Sequence, residues 1–285
     1  MFDITGKTKQ LGIIGDPVEH SFSPKMHNFI SERIGADYVY SAFHVKGDNL
    51  KEAIDGVRAL NISGINVTAP HKIEVMQYLD EISDDAKYLG SVNTVVNKNG
   101  RLCGYNTDSE GFYMSLLRNG IEVVGKNILI IGAGGVVKPT LLRLIKANPA
   151  SVTVLNRTKA RAQELADAIY AQTGYKVKTE ADNLRFDVVI NTTSAGMEPQ
   201  EDKLPIDEIE GIDSLDFVNE KTAVVDMIYN PDKTLFLRES EKRGAKVLNG
   251  LYMLIYQGII AYELFTGLKL DDDIAEIIKK EVFGR

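Results

Sequence analysis

The chain has 285 residues, of which 44% are hydrophobic and 26% charged, and a formal net charge of −7. That length allows one large or two ordinary domains, and the acidic balance argues against a nucleic-acid-binding surface. Four histidines and one cysteine, Cys103, offer no metal-ligand cluster and no intrachain disulfide, and no apolar run approaches a membrane span. The polar opening from Met1 to Gln10 lacks a signal-peptide pattern, so the expected setting is the reducing cytoplasm.

Leu11-Gly12-Ile13-Ile14-Gly15 reads as a short buried strand ending in an Asp16-Pro17 turn. Ser23 before Pro24 is a helix start, with the hydroxyl as N-cap, and capping alone accounts for Ser23. Ser21 has no such account. Two hydroxyls beside a helix N-terminus can instead hold a small anion such as a carboxylate. Tyr38 to Val45 alternates as a second strand, and Asn49 to Leu60 is a helix with Leu50, Ile54 and Val57 on one face.

Gly64 to Lys72 begins as a strand, with Ile65 and Val67 alternating with Asn66 and Thr68. It ends as a loop, because Pro70 has no N–H for a ladder. Asn66, Thr68, His71 and Lys72 crowd into this one stretch. Two readings stay open from it: a surface turn with a solvated lysine, or a strand end presenting a reactive group. A helix is expected around Ile73 to Leu79, and a strand from Gly90 to Asn97. Asn93 inside that strand is an amide that needs partners if buried. Asn99-Gly100 is a hairpin turn, from which Arg101 to Gly104 returns. Asp108 then opens a helix running to about Arg118, where a plain N-cap role explains it. Alternating strands and helices predict an α/β region with parallel pairing.

At Lys126 the pattern changes. Asn127-Ile128-Leu129-Ile130-Ile131 is a continuous apolar strand, of the kind buried on both faces. It runs into Gly132-Ala133-Gly134-Gly135, followed by a helix from Val136 to Ala147 and a second strand, Ser151 to Leu155. This is a βαβ unit whose first turn lets the backbone approach a pyrophosphate at a helix N-terminus. Its third fingerprint position, normally small, is Val137, whose bulk is expected to loosen the helix or push it outward. The second strand ends in Asn156, Arg157 and Thr158, with Arg161 one turn on, instead of the acidic residue an NAD ribose needs. Arginines and a hydroxyl suit a 2′-phosphate, hence NADP; a solvated helix face explains Arg161 equally well. Further strands are expected at Asp187 to Asn191, Ala223 to Met227 and Lys246 to Leu248. Residues 198–216 are acidic and read as a surface segment, and 249–285 as mostly helical.

Taken together, these motifs resemble the shikimate dehydrogenase family over nearly the whole chain. The resemblance rests on Ser21-x-Ser23-Pro24 with His27-Asn28, Gly64-x-Asn66-Val67-Thr68-x-Pro70-x-Lys72 and Gly90-x-Val92-Asn93-Thr94. It continues through Gly104-Tyr105-Asn106-Thr107-Asp108-x-x-Gly111, the glycine turn, Asn156-Arg157-Thr158, Asp226-Met227-x-Tyr229-x-Pro231, Gly250 and Gln257. It implies an α/β fold class: a substrate-binding domain over 1–107, completed by 251–285, and a Rossmann domain over 108–250. It implies reversible NADPH-dependent reduction of 3-dehydroshikimate to shikimate, in aromatic amino-acid biosynthesis, without a metal. By motif, Lys72 and Asp108 would be catalytic. Ser21, Ser23, Asn66, Thr68, Asn93, Thr107, Tyr229 and Gln257 would bind substrate. Gly132, Ala133, Gly134, Gly135, Asn156, Arg157, Thr158, Arg161, Thr193, Met227 and Gly250 would bind NADP. The expected partners are this small molecule, no nucleic acid and no membrane, in a monomer or homodimer. Two other readings compete: a quinate/shikimate dehydrogenase with dual substrate or NAD use, and a catalytically idle NADP-binding module. The second would lack the lysine–aspartate pair.

Overall fold

Two separate sheets organise the chain. In the computed structural model, residues 3–181 and 184–285 are described; Met1 and Phe2 of the expected first domain, and Asp182 and Asn183 of the second, lie outside them. The chain divides into one compact unit of Met1–Gly111 with Leu254–Arg285, and another of Phe112–Met253.

The first unit contains β1 (Lys9–Gly15), α1 (Ser23–Ile34), β2 (Tyr38–His44), α2 (Leu50–Ala59) and β3 (Gly64–Val67). After them come β4 (Glu81–Ile82), α3 (Asp84–Leu89), β5 (Thr94–Lys98) and β6 (Arg101–Tyr105). The stretch after β3 is a short 3-10 helix over Glu74–Tyr78. The sheet order is β2-β1-β3-β5-β6-β4. β1 pairs parallel with β2 and β3, but β3–β5 and β5–β6 are antiparallel. The expected parallel pairing therefore holds for β1 with β2 and β3 and for β4 with β6, the expected hairpin makes β5–β6 antiparallel, and the departure is the antiparallel β3–β5 pair. In that hairpin Asn99 and Gly100 both take positive φ, the two-residue turn that folds a strand back on its neighbour; this turn does not account for the antiparallel β3–β5 pair. α2 buries Leu50, Ile54 and Val57 against Ile65, Val67 and Val95, as its periodicity required.

The second unit takes over within α4 (Asp108–Arg118). It continues as β7 (Asn127–Ile131), α5 (Val137–Lys146), β8 (Ser151–Leu155), α6 (Lys159–Thr173), β9 (Val188–Asn191), β10 (Ala223–Asp226), α7 (Leu235–Lys242) and β11 (Lys246–Leu248). The order β11-β10-β9-β7-β8 is parallel throughout. Strand order reverses at β7, so the turn after β7 sits at the switch point where such sheets place a ligand. This is a Rossmann-like sheet. Val137 is fully buried at the start of α5, its bulk housed in the core. Residues 198–216 depart from the surface reading: Ile206, Ile209, Ile212 and Leu215 are buried with Leu129, Val189 and Phe236. Their spacing at every third residue was the missed sign of a packed segment.

The chain ends in α8 (Leu251–Thr266), which returns to the first unit, and α9 (Ile274–Phe283). Gly64 has no side chain because the Phe265 ring of α8 lies against it. Among the described residues no helix is long and apolar enough to cross a membrane.

Candidate active site

The end of β3 carries the reactive stretch. Lys72 is held by its own backbone: its carbonyl accepts the Val92 N–H at 2.8 Å. His71 is buried, and its Nε2 lies 2.6 Å from the Val45 carbonyl, pinning the loop beside the lysine. Lys72 Nζ then meets Asp108 Oδ2 at 2.6 Å, with both side chains partly buried. The solvated-lysine reading is thereby displaced by an ion pair.

Asp108 is free to make that pair because it does not cap α4. Asn106 does so instead, its Oδ1 accepting the N–H groups of Asp108 and Ser109, while its amide donates to Ser91. The carboxylate of Asp108 stands in the first helical turn, where the positive end of the helix favours an anion. The backbone of Gln257 on α8 is brought to the same turn: a Cβ on Gly111 would fall 2.6 Å from the Gln257 backbone nitrogen. Only glycine permits that approach.

Behind the pair lies a closed polar network. Asn66, Asn93, Thr94 and Thr107 are all buried. Asn93 accepts the Thr107 N–H at 2.8 Å and donates to Thr107 Oγ1 at 2.9 Å. Asn66 donates to the Asn93 carbonyl and Thr94 Oγ1, both at 3.1 Å. The need for partners at Asn93 is met within the protein. Thr68 follows at the half-buried strand end, its N–H bound to the Ile14 carbonyl.

Ser23 does not take the capping role read from the sequence. Phe22, not Ser23, is the N-cap of α1, and it makes no side-chain cap bond. Ser21 Oγ accepts the Ser23 N–H at 3.2 Å. The Ser23 hydroxyl bonds to the buried Tyr40 phenol, which donates onward to Asn66 Oδ1 at 2.7 Å. Burial pushes the Tyr40 phenol well above its ordinary value, so it stays protonated as that donor. Asn28 clamps both peptide groups of Tyr40, and the His27 ring stacks on it with centroids 4.3 Å apart. Tyr40 went unread because strand alternation marks it as core and says nothing of its hydroxyl.

In the second unit, a cavity of about 390 Å³ adjoins the glycine turn and the ends of β8 and β9. Gly132, Ala133, Gly134, Asn156, Arg157, Thr158, Arg161 and Thr193 line it. Gly132 takes a φ of +115°, and a Cβ there would collide with Thr192. At Gly134 and Gly135 an added Cβ meets no protein atom within 4 Å. The fold does not need glycine at those two positions, which leave open space at the start of α5. Thr158 precedes α6 without spending its hydroxyl on a cap. Arg157 Nη1 pairs with Glu208 Oε2 at 2.6 Å, and Glu208 lines the same cavity. The residues present fit a phosphorylated dinucleotide.

Others of the expected set have firm structural duties. Thr193 donates to Asn191 and accepts the Ala195 N–H, building the turn after β9. The Met227 N–H binds the Asn191 carbonyl, and Gly250 abuts the Met227 carbonyl so closely that a Cβ would strike it. Tyr229 is half-buried, with its phenol pushed up by burial. Asp226 at the end of β10 is fully buried. Burial pushes its carboxyl up to about 6 against bonds from Ile228, Thr234 and Asn191. Among the described residues no group of three or more His, Cys, Asp or Glu could hold a metal ion.

A Rossmann-type unit joined by sequence to a lysine–carboxylate pair defines a class of α/β oxidoreductases, and the comparisons narrow it. Residues 13–95 match the shikimate dehydrogenase substrate binding domain, 116–203 the shikimate/quinate 5-dehydrogenase domain and 250–282 the shikimate 5′-dehydrogenase C-terminal domain. An NADP(+) shikimate dehydrogenase of Methanocaldococcus jannaschii is 45% identical over 289 residues, covering 99% of each chain. A shikimate dehydrogenase solved in complex with NADP+ superposes with a TM-score of 0.87 at 42% identity, covering 96% of each chain. The shikimate 5-dehydrogenase of Listeria monocytogenes, in complex with shikimate and NAD, gives 0.88 at 35% identity, covering 96% of this chain and 98% of that one. The chain belongs to the shikimate dehydrogenase family.

Proposed function

We propose that the chain catalyses the reversible NADPH-dependent reduction of 3-dehydroshikimate to shikimate, a step of chorismate and aromatic amino-acid biosynthesis. The observation that carries this is the 2.6 Å Lys72–Asp108 pair in a chain of this family. On this reading, residues 1–107 with 251–285 form the substrate-binding domain and 108–250 the NADP-binding domain. When bound, NADPH supplies the hydride. The chain's own residues supply position and the proton. Lys72, an ammonium beside a carboxylate, donates to the oxygen that gains charge at the reacting carbon, and Asp108 holds the lysine in place. Ser21 and Ser23 bind the substrate carboxylate. Thr68, Gln257 and Tyr229 meet ring hydroxyls. Asn66, Asn93 and Thr107 belong to the same site, and their mutual bonds support a role in fixing its shape. Such fixing matters, because hydride transfer needs reacting atoms within about 3–3.5 Å.

Gly132, Ala133, Gly134 and Gly135 receive the pyrophosphate, and Asn156, Arg157, Thr158 and Arg161 the adenosine 2′-phosphate. Thr193, Met227 and Gly250 shape the nicotinamide end. Arg157 after β8 and Arg161 in the first turn of α6 favour NADP over NAD. The enzyme works in the cytoplasm on a small molecule, without nucleic acid or membrane, as a monomer or homodimer. One assay tests the whole reading. Shikimate and quinate are each offered with NADP+ and with NAD+, and reduced nicotinamide is followed by absorbance. The expected order places shikimate with NADP+ first; absence of turnover with that pair rejects the function.

A further inference from the structure

We propose that Glu208 is an exchangeable counter-ion of Arg157 and sets how strongly this chain prefers a 2′-phosphorylated dinucleotide. The inference rests on the NADP reading above. Arg157 is the strand-end cation best placed for the 2′-phosphate, yet its Nη1 already bonds Glu208 Oε2 at 2.6 Å. That bond holds the Glu208 carboxyl below its ordinary range, so it is an anion at neutral pH. A carboxylate and a phosphate cannot both take the same face of one guanidinium without like-charge repulsion.

Glu208 cannot leave with its loop. Its neighbours Ile206 and Ile209 are buried in the core of the second unit, and the Ile209 N–H is bound to the Ile206 carbonyl at 2.8 Å. The adjustable part is the side chain, which is exposed. A second cation waits on its other side: Lys203 Nζ lies 3.6 Å from Glu208 Oε1 and lines the same cavity. The carboxylate can therefore turn from Arg157 to Lys203 as a phosphate arrives. For a dinucleotide bearing only a 2′-hydroxyl, Arg157 and Glu208 stay paired and nothing is exchanged. The cost of separating them thus falls on the phosphorylated cofactor alone. Glu208 tempers the preference that Arg157 creates.

Titration calorimetry on the cofactor-free full chain tests this with NADP+ and NAD+ as separate ligands. Glu208→Gln should tighten NADP+ by about fivefold, the span that an exposed ion pair allows, and leave NAD+ within about twofold. Lys203→Met should weaken NADP+ in the wild-type background but not in the Glu208→Gln background, because the acceptor is needed only when there is a carboxylate to receive. Unchanged or weaker NADP+ binding by Glu208→Gln overturns the proposal, as does equal tightening of NAD+. A Lys203→Met loss that persists without Glu208 means the lysine holds phosphate directly, and overturns the exchange. Wild-type protein that does not bind NADP+ rejects the NADP reading itself, a result distinct from all of these. Thermal melting of each variant separates lost binding from lost folding.

Discussion

The two ligand-facing regions are built on opposite plans. Around Lys72, the polar side chains behind the reactive pair are buried and already bonded to one another. Around the glycine turn, Arg157, Glu208 and Lys203 are exposed and paired with one another at the lining of a cavity. The difference fits the role proposed for each region. Chemistry needs geometry fixed before the substrate arrives, and a satisfied buried network holds it against rotation. A nucleotide phosphate brings its own strong charge, and exposed pairs can be broken at small cost to receive it.

The largest test of this contrast is Lys72→Ala. It should lower turnover by roughly 10²–10⁴, while calorimetric NADP+ affinity stays at the wild-type value. Loss of both together would mean that the two regions are not separable. Next comes Asn93→Ala, which orphans the Thr107 N–H and strips partners from the Thr94 and Thr107 hydroxyls. Unsatisfied buried groups cost about 1–3 kcal/mol each, so a loss of roughly 3–4 kcal/mol in urea unfolding is expected. A loss under about 1 kcal/mol would show that the network is not rigid.

Acidity also separates the two units. In the second unit, the Asp226 carboxyl stands at about 6 in the folded state against an ordinary 3.8. The folded form binds its proton more tightly, so this group's stabilisation is present below about pH 4 and is lost as pH rises through 6. The full swing is about 3 kcal/mol. In the first unit, burial pushes the His27 imidazole down to about 3 from 6.5, with neither ring nitrogen hydrogen-bonded. Its contribution is present above pH 6.5 and is lost as pH falls toward 3. The two slopes oppose one another between pH 4 and 6. Asp226→Asn should therefore leave a stability curve that rises more steeply with pH across that window. Denaturant midpoints at a series of pH values would reveal an unchanged slope if the assignment is wrong.

The smallest effect on the fold belongs to Gly134→Ala. Its Cβ meets no protein atom, so the melting temperature should stay within a degree or two of wild type, which is under about 0.5 kcal/mol. NADP+ affinity should still fall, by about tenfold for a methyl set against the pyrophosphate path. A variant that binds as wild type does would remove Gly134 from the cofactor site.

The linear sequence revealed a good deal of this. β7 and β8 run over the residues their apolar runs predicted, because buried parallel strands carry strong local signals, and α4 spans the expected residues although Asp108 is not its cap. The lysine stretch, the serine pair and the arginines after β8 were also visible as motifs. What stayed hidden is how side chains distant in sequence spend their hydrogen bonds. Asn106 relieves Asp108 of capping, and Tyr40 joins Ser23 to Asn66. Both depend on partners that periodicity does not name.

By itself, the sequence determined the order of elements, the glycine turn and the residue types able to bind a phosphate or move a proton, since these follow from local propensity and spacing. Only the tertiary structure decided that Lys72 faces Asp108 across 36 positions of chain, that β5 runs antiparallel to β3, and that acidic residues 198–216 lie on a buried isoleucine stripe and set Glu208 against Arg157. Those outcomes are set by packing and by the need to satisfy buried polar groups, which are properties of the folded chain as a whole.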